Sequence, residues 1–131
     1  MALPLTVRLV MVVVARVEVP VTDNVPLKEG LLVMTQSKSG SLSVVNTRGK
    51  LVGVFTDGDF RRQIAQDENL LAKRLGSVMT PRPIRVKEEA LAAEAVKIFD
   101  QRSIDDLIVV NAKNEPVGLV DSQDLPKMKL M

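Results

Sequence analysis

The feature that most constrains this chain is an internal repeat. When the sequence is displaced by 65 residues against itself, residues 19–60 align with residues 84–125 without a gap. Ten of the 42 aligned positions are identical, against roughly three expected at average residue usage, and several of the others are apolar in both copies, such as Val33/Ile98 and Met34/Phe99. A unit this short buries too little apolar surface to be stable alone, so the sequence predicts two copies of one fold packed face to face.

The residue patterns of the two copies predict the same order of strands and helices. A short strand, at residues 17–22 or 84–87, precedes a helix whose apolar residues recur near every 3.6 positions. Those apolar residues are Leu27, Leu31 and Met34 in the first copy and Leu91, Ala95 and Ile98 in the second. The helix ends near Ser39 in one copy and near Ser103 in the other. The runs LSVVN and LIVVN then predict a strand, and LVGVF and PVGLV predict its hairpin partner across a turn rich in Asn and Gly.

An acidic segment opens the last helix of each copy, where a carboxylate can cap the first turn. Between the copies, residues 70–78 predict a helix, and Thr80–Pro83 a stiff linker that ends it. The predicted fold class is therefore α+β, with two β-α-β-β-α repeats. We place the first repeat with its linker at residues 1–75 and the second at residues 76–131.

Composition excludes several classes of function. The chain of 131 residues has no Cys and no His, which removes disulfides, thiolate nucleophiles, Ser-His-Asp triads and nearly all transition-metal sites. Three Phe are its only aromatic residues, and its net charge of +2 comes from scattered residues. Stacking platforms and basic stripes for nucleic acid are therefore not expected.

The apolar stretch from Leu9 to Val14 lies between Arg8 and Arg16 and is far shorter than the roughly 20 residues that span a bilayer. No small-residue cleavage site follows it, which argues against a signal peptide. We expect no membrane partner and a cytoplasmic protein. The run of Val within this stretch favours either a linker helix or a strand.

A seven-residue motif ends each predicted hairpin. It reads GVFTDGD from Gly53 to Asp59 in the first copy and GLVDSQD from Gly118 to Asp124 in the second. A carboxylate accepts two hydrogen bonds in one plane, which suits the 2′- and 3′-hydroxyls of a ribose, and a hydroxyl one helical turn earlier can donate to a phosphate. The alternative for both terminal Asp residues is simple helix capping.

Each copy resembles a cystathionine β-synthase (CBS) domain. The pair resembles the tandem module of such domains, which implies that the two repeats associate through their sheets around a pseudo-twofold axis. In that family the second hairpin strand ends in Gly, two apolar residues, Ser or Thr, two variable residues and Asp. The first copy matches this pattern throughout, whereas the second has Asp121 in place of the hydroxyl. Because Asp121 places a negative charge where a phosphate would lie, its site favours an unphosphorylated nucleoside end or a cation-bridged phosphate.

The resemblance implies a site in the cleft between the two repeats for an adenosine-type nucleotide, AMP, ADP or ATP, or for a sugar nucleotide. It implies no other cofactor, no metal and no catalytic residue. It implies that the base lies against the backbone of the first strand of each copy and that arginines contact the phosphates. Arg61, Arg62 and Arg85 are the candidate arginines, with exposed surface charges as the alternative. The implied nucleotide-binding residues are Thr56, Asp57, Asp59, Val19, Val21, Ile84, Arg85, Asp121 and Asp124.

The stretches around MTQSKSGSLSVVNTRGK and MTPRPIRVKEEALAAEAVKIFDQRS are most similar to the C-terminal CBS pair of arabinose-5-phosphate isomerases. This similarity implies a regulatory, non-catalytic module, a homodimer, and a separate sugar isomerase domain, with Kdo biosynthesis as the setting. One alternative is an oligomerisation platform whose cleft binds nothing. Another is an enzyme that uses Asp57, Asp59, Asp121 and Asp124 for acid–base work or to hold Mg²⁺.

Overall fold

The computed structural model describes residues 5–8, 10 and 19–127. Its contacts form two compact units. One spans residues 19–83, and the other combines the described residues from 84 onward with those near the N terminus. This grouping differs from the division at residue 75, which followed the repeat and stays a prediction about repeat boundaries. No helix among the described residues has both the length and the apolar character that crossing a membrane requires.

The first unit is a four-stranded sheet with helices. Its elements in chain order are β1 (Val21–Thr22), α1 (Leu27–Ser37), β2 (Ser41–Val45), β3 (Leu51–Thr56), α2 (Asp57–Ile64), a 3₁₀ turn (Leu70–Ala72), α3 (Leu75–Val78) and β4 (Thr80–Pro81). The strand order is β1-β2-β3-β4, with β1 parallel to β2 and the other neighbours antiparallel.

The second unit repeats this order around a three-stranded sheet. Its elements are β5 (Arg85–Lys87), α4 (Ala92–Gln101), β6 (Asp106–Val110), β7 (Pro116–Asp121) and α5 (Asp124–Lys127). The strand order is β5-β6-β7, again parallel then antiparallel. The predicted α+β class and the β-α-β-β-α order of both repeats are confirmed.

The two repeats agree down to individual hydrogen bonds. In both hairpins the register shifts at the same place, between Val44 and Val45 and between Val109 and Val110. The side chain of Asn46 accepts from the N–H groups two and four residues later, at 2.9 and 3.0 Å. Asn111 does the same at the same distances. The identical Asn residues therefore fix both turns and, through them, the register of both hairpins.

In each unit another segment of the chain packs at the start of the first helix. In the first unit Leu75 donates its N–H to the carbonyl of Val25 at 2.8 Å, and Leu75 is fully buried. In the second unit Val7 donates to the carbonyl of Ala90 at 2.8 Å and is equally buried. Residues before the first repeat in sequence therefore pack on the second repeat, where they close its apolar core.

The cores consist of aliphatic residues and one Phe. In the first unit the buried cluster is Leu27, Met34, Leu42, Val44, Phe55, Leu70 and Leu75. In the second it is Val7, Val10, Val86, Ala92, Ala95, Leu107, Val109, Val120 and Leu125. The apolar face of each sheet and one stripe of each first helix supply most of these residues, as the periodicity predicts.

Several details differ from the prediction. Thr80–Pro81 is not a free linker but pairs with β3 opposite Val54 and Gly53, because Pro is tolerated on an edge strand. The predicted helix at residues 70–78 is interrupted at Lys73, whose backbone is extended. Leu91 does not face the core: it precedes the first residue of α4 and is 53% exposed.

The boundaries of three elements also differ. Strand β1 begins at Val21 rather than earlier, and the predicted start at residues 17–18 lies outside the described residues. Helix α1 ends at Ser37 and α4 at Gln101, two residues before the predicted ends. Most of the apolar stretch Leu9–Val14 also lies outside the described residues.

Candidate functional site

The motif of the first repeat is a reciprocal cap at the start of α2. The hydroxyl of Thr56 accepts from the N–H of Asp59 at 3.1 Å, and the carboxylate of Asp59 accepts from the N–H of Thr56 at 3.0 Å. Both N–H groups lack a partner within the helix, so the pair satisfies them together. The capping role predicted for this carboxylate is therefore confirmed.

The second oxygen of Asp59 contacts an arginine. Arg62, one turn further along α2, donates from Nη2 to Oδ1 of Asp59. The Asp59 residue is only 8% exposed, whereas the side chain of Arg62 is 63% exposed. The motif therefore presents an anchored carboxylate beside a guanidinium that solvent reaches. Asp57 is exposed at the start of the helix, and its N–H donates to the carbonyl of Gly40 at 3.0 Å.

The motif of the second repeat keeps half of this arrangement. The carboxylate of Asp124 accepts from the N–H of Asp121 at 3.0 Å, and Asp124 is 1% exposed. Asp121 instead accepts from the N–H of Gln123 at 2.8 Å, two residues on. The Ser or Thr hydroxyl is missing, and a short-range turn contact of a carboxylate replaces it.

The surroundings of the two motifs differ in charge. In the first repeat Ser41 lies opposite Thr56 across the hairpin, and Gly40 precedes it. The second repeat has Asp106 opposite Asp121, with Asp105 before it. Across the matching positions the second repeat therefore has four acidic residues and the first has two, because Ser122 stands in the place of Asp57. Like charges directly opposite each other on a sheet repel, so the second motif disfavours an anion more strongly than Asp121 alone predicts.

The predicted base-contacting residues lie at the first strand of each unit. Val21 belongs to β1 and packs partly buried against the core, as Ile84 does just before β5. Val19 lies outside the strand and is 66% exposed, which leaves its side chain accessible.

Gly53 lies where another segment of the chain approaches the backbone closely. A Cβ atom there would lie 2.2 Å from the sulfur of Met79 and 3.0 Å from the carbonyl oxygen of Thr80. The neighbour that requires glycine is therefore the segment leading into β4, which the sequence prediction had treated as a linker.

Arg85 does not reach the second motif. Its Nη1 donates to the side-chain oxygen of Asn114 at 2.7 Å, in the hairpin turn. Asp121 and Asp124 lie at the end of that hairpin opposite to this turn. The sequence prediction missed Asn114 as a partner of Arg85. A comparison of the two repeats could have found it. Arg85 and Asn114 occupy positions at which the first repeat has Pro20 and Gly49, so both residues of the pair differ between the copies.

The comparison with known protein families decides the assignment. The CBS domain family matches residues 13–66 and 75–127. This chain belongs to the CBS-domain family. Two matched segments make it a CBS pair, and CBS domains are regulatory modules rather than catalytic ones. Among the described residues, no group of three or more acidic side chains is placed to hold a metal ion.

Known relatives of this CBS pair include sugar-phosphate isomerases. The arabinose 5-phosphate isomerase KdsD of Pseudomonas aeruginosa is 38% identical over 105 residues, which are 80% of this chain and 32% of the isomerase. The chain therefore spans about a third of the length of the curated relatives it matches, and the match covers their CBS-containing region.

Solved structures of CBS proteins share the fold. A CBS-domain protein of Agrobacterium tumefaciens, ATU1752, has a TM-score of 0.79 at 20% identity, covering 95% of this chain and 98% of its own. CBSX2 in complex with AMP gives 0.76 at 21% identity, covering 96% of each chain. The cytosolic domain of the Mg²⁺ channel MgtE in complex with ATP gives 0.71 at 22% identity, covering 85% of this chain and 44% of its own.

Proposed function

We propose that this CBS pair is a regulatory ligand-sensing module that binds an adenosine-type nucleotide at the Thr56–Asp59 motif of its first repeat. The observation that carries the proposal is the anchored carboxylate of Asp59, which has fewer acidic neighbours than Asp124 and lies beside the exposed guanidinium of Arg62. That CBSX2 was solved with AMP and the MgtE cytosolic domain with ATP supports a nucleotide as the ligand.

The geometry gives each group a role. A carboxylate has about four lone-pair positions, and the contacts with Thr56 and Arg62 occupy two of those on Asp59. The remaining positions suit the two hydroxyls of a ribose. Arg62 is the proposed phosphate partner, because a guanidinium presents several donors and this side chain is exposed beside Asp59. Asp57, Val19 and Val21 complete the proposed site.

The second repeat has a lesser role in this proposal. Asp121 and Asp124, together with Asp105 and Asp106, disfavour a phosphate there. Ile84 and the backbone of β5 lie where the base of a ligand is proposed to bind in this repeat. An unphosphorylated nucleoside end or a cation-bridged phosphate is the ligand that this charge permits.

We also propose that nucleotide binding modulates a sugar-phosphate isomerase domain, as a separate partner or within a longer chain, in a cytoplasmic homodimer. The similarity to the CBS-containing region of KdsD supports this partner. Regulation requires the nucleotide to bind two arrangements of the repeats with different affinity. The isomerase rate with and without nucleotide measures that difference.

An oligomerisation platform with no ligand is the second candidate. It is favoured by the capping geometry, because Asp59 and Asp124 both accept from the N–H that ends the preceding strand. A structural role therefore accounts for both carboxylates without a ligand.

Calorimetric titration of the chain with AMP, ADP, ATP and adenosine separates the two candidates. The sensor predicts heat with at least one phosphorylated nucleotide, and the platform predicts none with any of them. The matched variants are Thr56→Asp, which gives the first motif the second's charge, and Asp121→Thr. We expect Thr56→Asp to weaken the binding of phosphorylated nucleotides at least tenfold. Asp121→Thr should weaken the binding of none of the four ligands. Equal affinity in Thr56→Asp and the unmodified chain would contradict the proposed phosphate position.

A further inference from the structure

The second unit has a hollow that the nucleotide proposal does not use. Its volume is about 550 Å³, and it lies between the end of β5, the first turn of α4 and the turn that joins β6 to β7. The apolar part of its wall comes from Ala90, Val110 and Ala112. The hollow opens at the turn end of the hairpin, away from Asp121 and Asp124.

A hydrogen bond fixes the guanidinium group of Arg85 at the wall of this hollow. Arg85 donates to Asn114 at 2.7 Å, and both line the hollow. Asn114 has a φ of 62°, in the left-handed region, and the corresponding Gly49 has a φ of 79°. Gly adopts this conformation with no steric cost and Asn at some cost. The second repeat therefore carries the less favourable residue at the turn, and that residue positions the guanidinium.

The charges of the hollow are arranged in two groups. Arg85 and Lys87 are two residues apart on β5, so their side chains leave the same face of the strand. Glu94, in the first turn of α4, supplies a carboxylate on the wall. Glu89 also lines the hollow but forms an ion pair with Arg8. One side of the hollow therefore attracts an anion and the other accepts hydrogen bonds from hydroxyls.

We propose that this hollow binds a small phosphorylated sugar. Its phosphate contacts Arg85 and Lys87, because a guanidinium fork matches phosphate oxygens. Its hydroxyls donate to the carboxylate of Glu94, and its carbon frame lies on the apolar wall. A second acidic group on the ligand would meet Glu94, so a phosphate monoester of a polyol fits better than an anion charged at both ends. The first repeat, with Pro20, Thr22 and Gly49 at the matching positions, has no equivalent site.

The test is calorimetric titration with arabinose 5-phosphate, free arabinose and inorganic phosphate. We expect the sugar phosphate to bind at least tenfold more tightly than either of the others. Arg85→Gln should weaken it at least tenfold, through loss of the charge. Asn114→Gly should weaken it about fivefold while leaving the melting temperature unchanged or higher, because Gly suits this turn. That pairing separates lost binding from lost folding.

Asp59→Asn distinguishes this site from the nucleotide site, since it should leave sugar-phosphate binding unchanged. Absence of sugar-phosphate binding would overturn the proposal. So would equal binding of inorganic phosphate, unchanged affinity in both Arg85→Gln and Asn114→Gly, or a loss of sugar-phosphate binding in Asp59→Asn.

Discussion

The motif of the first repeat and the motif of the second are built on the same backbone but differ in chemistry. Both end a hairpin of the same register, and both place an Asp carboxylate on the N–H of the last strand residue at 3.0 Å. Thr56 completes the cap in one, whereas Asp121 turns to Gln123 in the other. The residues that shape the turn and sheet were kept, while those that set the charge of the site changed. Shared geometry therefore does not imply a shared ligand.

The packing of the first helices differs in a similar way. Helix α1 carries Leu27 and Gly30 where α4 has Ala92 and Ala95. A Cβ atom on Gly30 would lie 2.9 Å from a methyl group of Leu42. The first repeat fills the space under its helix with one large residue and one glycine, and the second does so with two alanines.

The largest expected effect on stability comes from replacing Leu27 by alanine, the residue that the second repeat has at the matching position, Ala92. Leu27 is fully buried, so Leu27→Ala should lower the free energy of unfolding by about 2–5 kcal/mol. Urea denaturation measures it. Leu32→Ala is the control, because Leu32 is 55% exposed on the same helix and should change stability by less than about 0.5 kcal/mol. Similar losses in both would show that Leu27 is not a core residue.

Removing the hydroxyl cap should have the next largest effect. Thr56→Ala leaves the N–H of Asp59 without its acceptor and should cost about 0.5–2 kcal/mol. Thr56→Ser keeps the hydroxyl and should retain most of the stability. Thermal denaturation of the three proteins measures the difference, and an equal loss in Thr56→Ser would mean that the methyl group, rather than the cap, is responsible.

In the second repeat, removing the charge of Asp121 should stabilise the folded protein. Asp121 lies opposite Asp106, so Asp121→Thr should raise the free energy of unfolding by about 0.5–1 kcal/mol. Asp121→Asn is the matched control: it keeps an acceptor for Gln123 and removes only the charge, so it should give most of the same gain. If neither variant is more stable than the unmodified chain, repulsion between the strands does not operate here.

Much of this comparison was predictable from sequence, because it depends on local residues. The repeat predicted the element order of both units, and Asn46 and Asn111 predicted their turns. The docking of residues 5–8 on the second repeat was not predictable, because it joins segments 80 or more residues apart, as the hydrogen bond of Arg8 with Glu88 does. The strand at Thr80–Pro81 was hidden by its proline. The contact of Arg62 with Asp59 and that of Arg85 with Asn114 depend on side-chain direction, which residue spacing alone does not give.

The smallest effect concerns the ion pair between Lys73 and Asp67 in the first unit. The hydrogen bond from Lys73 lowers the pKa of Asp67 below its ordinary value of 3.8. A carboxyl whose pKa is lower in the folded state adds stability above its unfolded pKa and loses it as pH falls through the folded value. The unmodified chain should therefore lose slightly more stability on acidification than Lys73→Gln. The difference in unfolding free energy between neutral pH and pH below 3.8 measures it, and identical acid sensitivity would contradict the assigned cause.

The most direct test of the account is the affinity for AMP of Asp59→Asn against Asp124→Asn, measured by calorimetry. Each substitution keeps an oxygen that can accept from the strand-end N–H and removes one negative charge. We predict that Asp59→Asn binds AMP at least tenfold more weakly than the unmodified chain, a loss of about 1.4 kcal/mol, and that Asp124→Asn changes the affinity less than twofold. Equal losses in the two variants, or a larger loss in Asp124→Asn, would contradict the assignment of the nucleotide site to the first repeat.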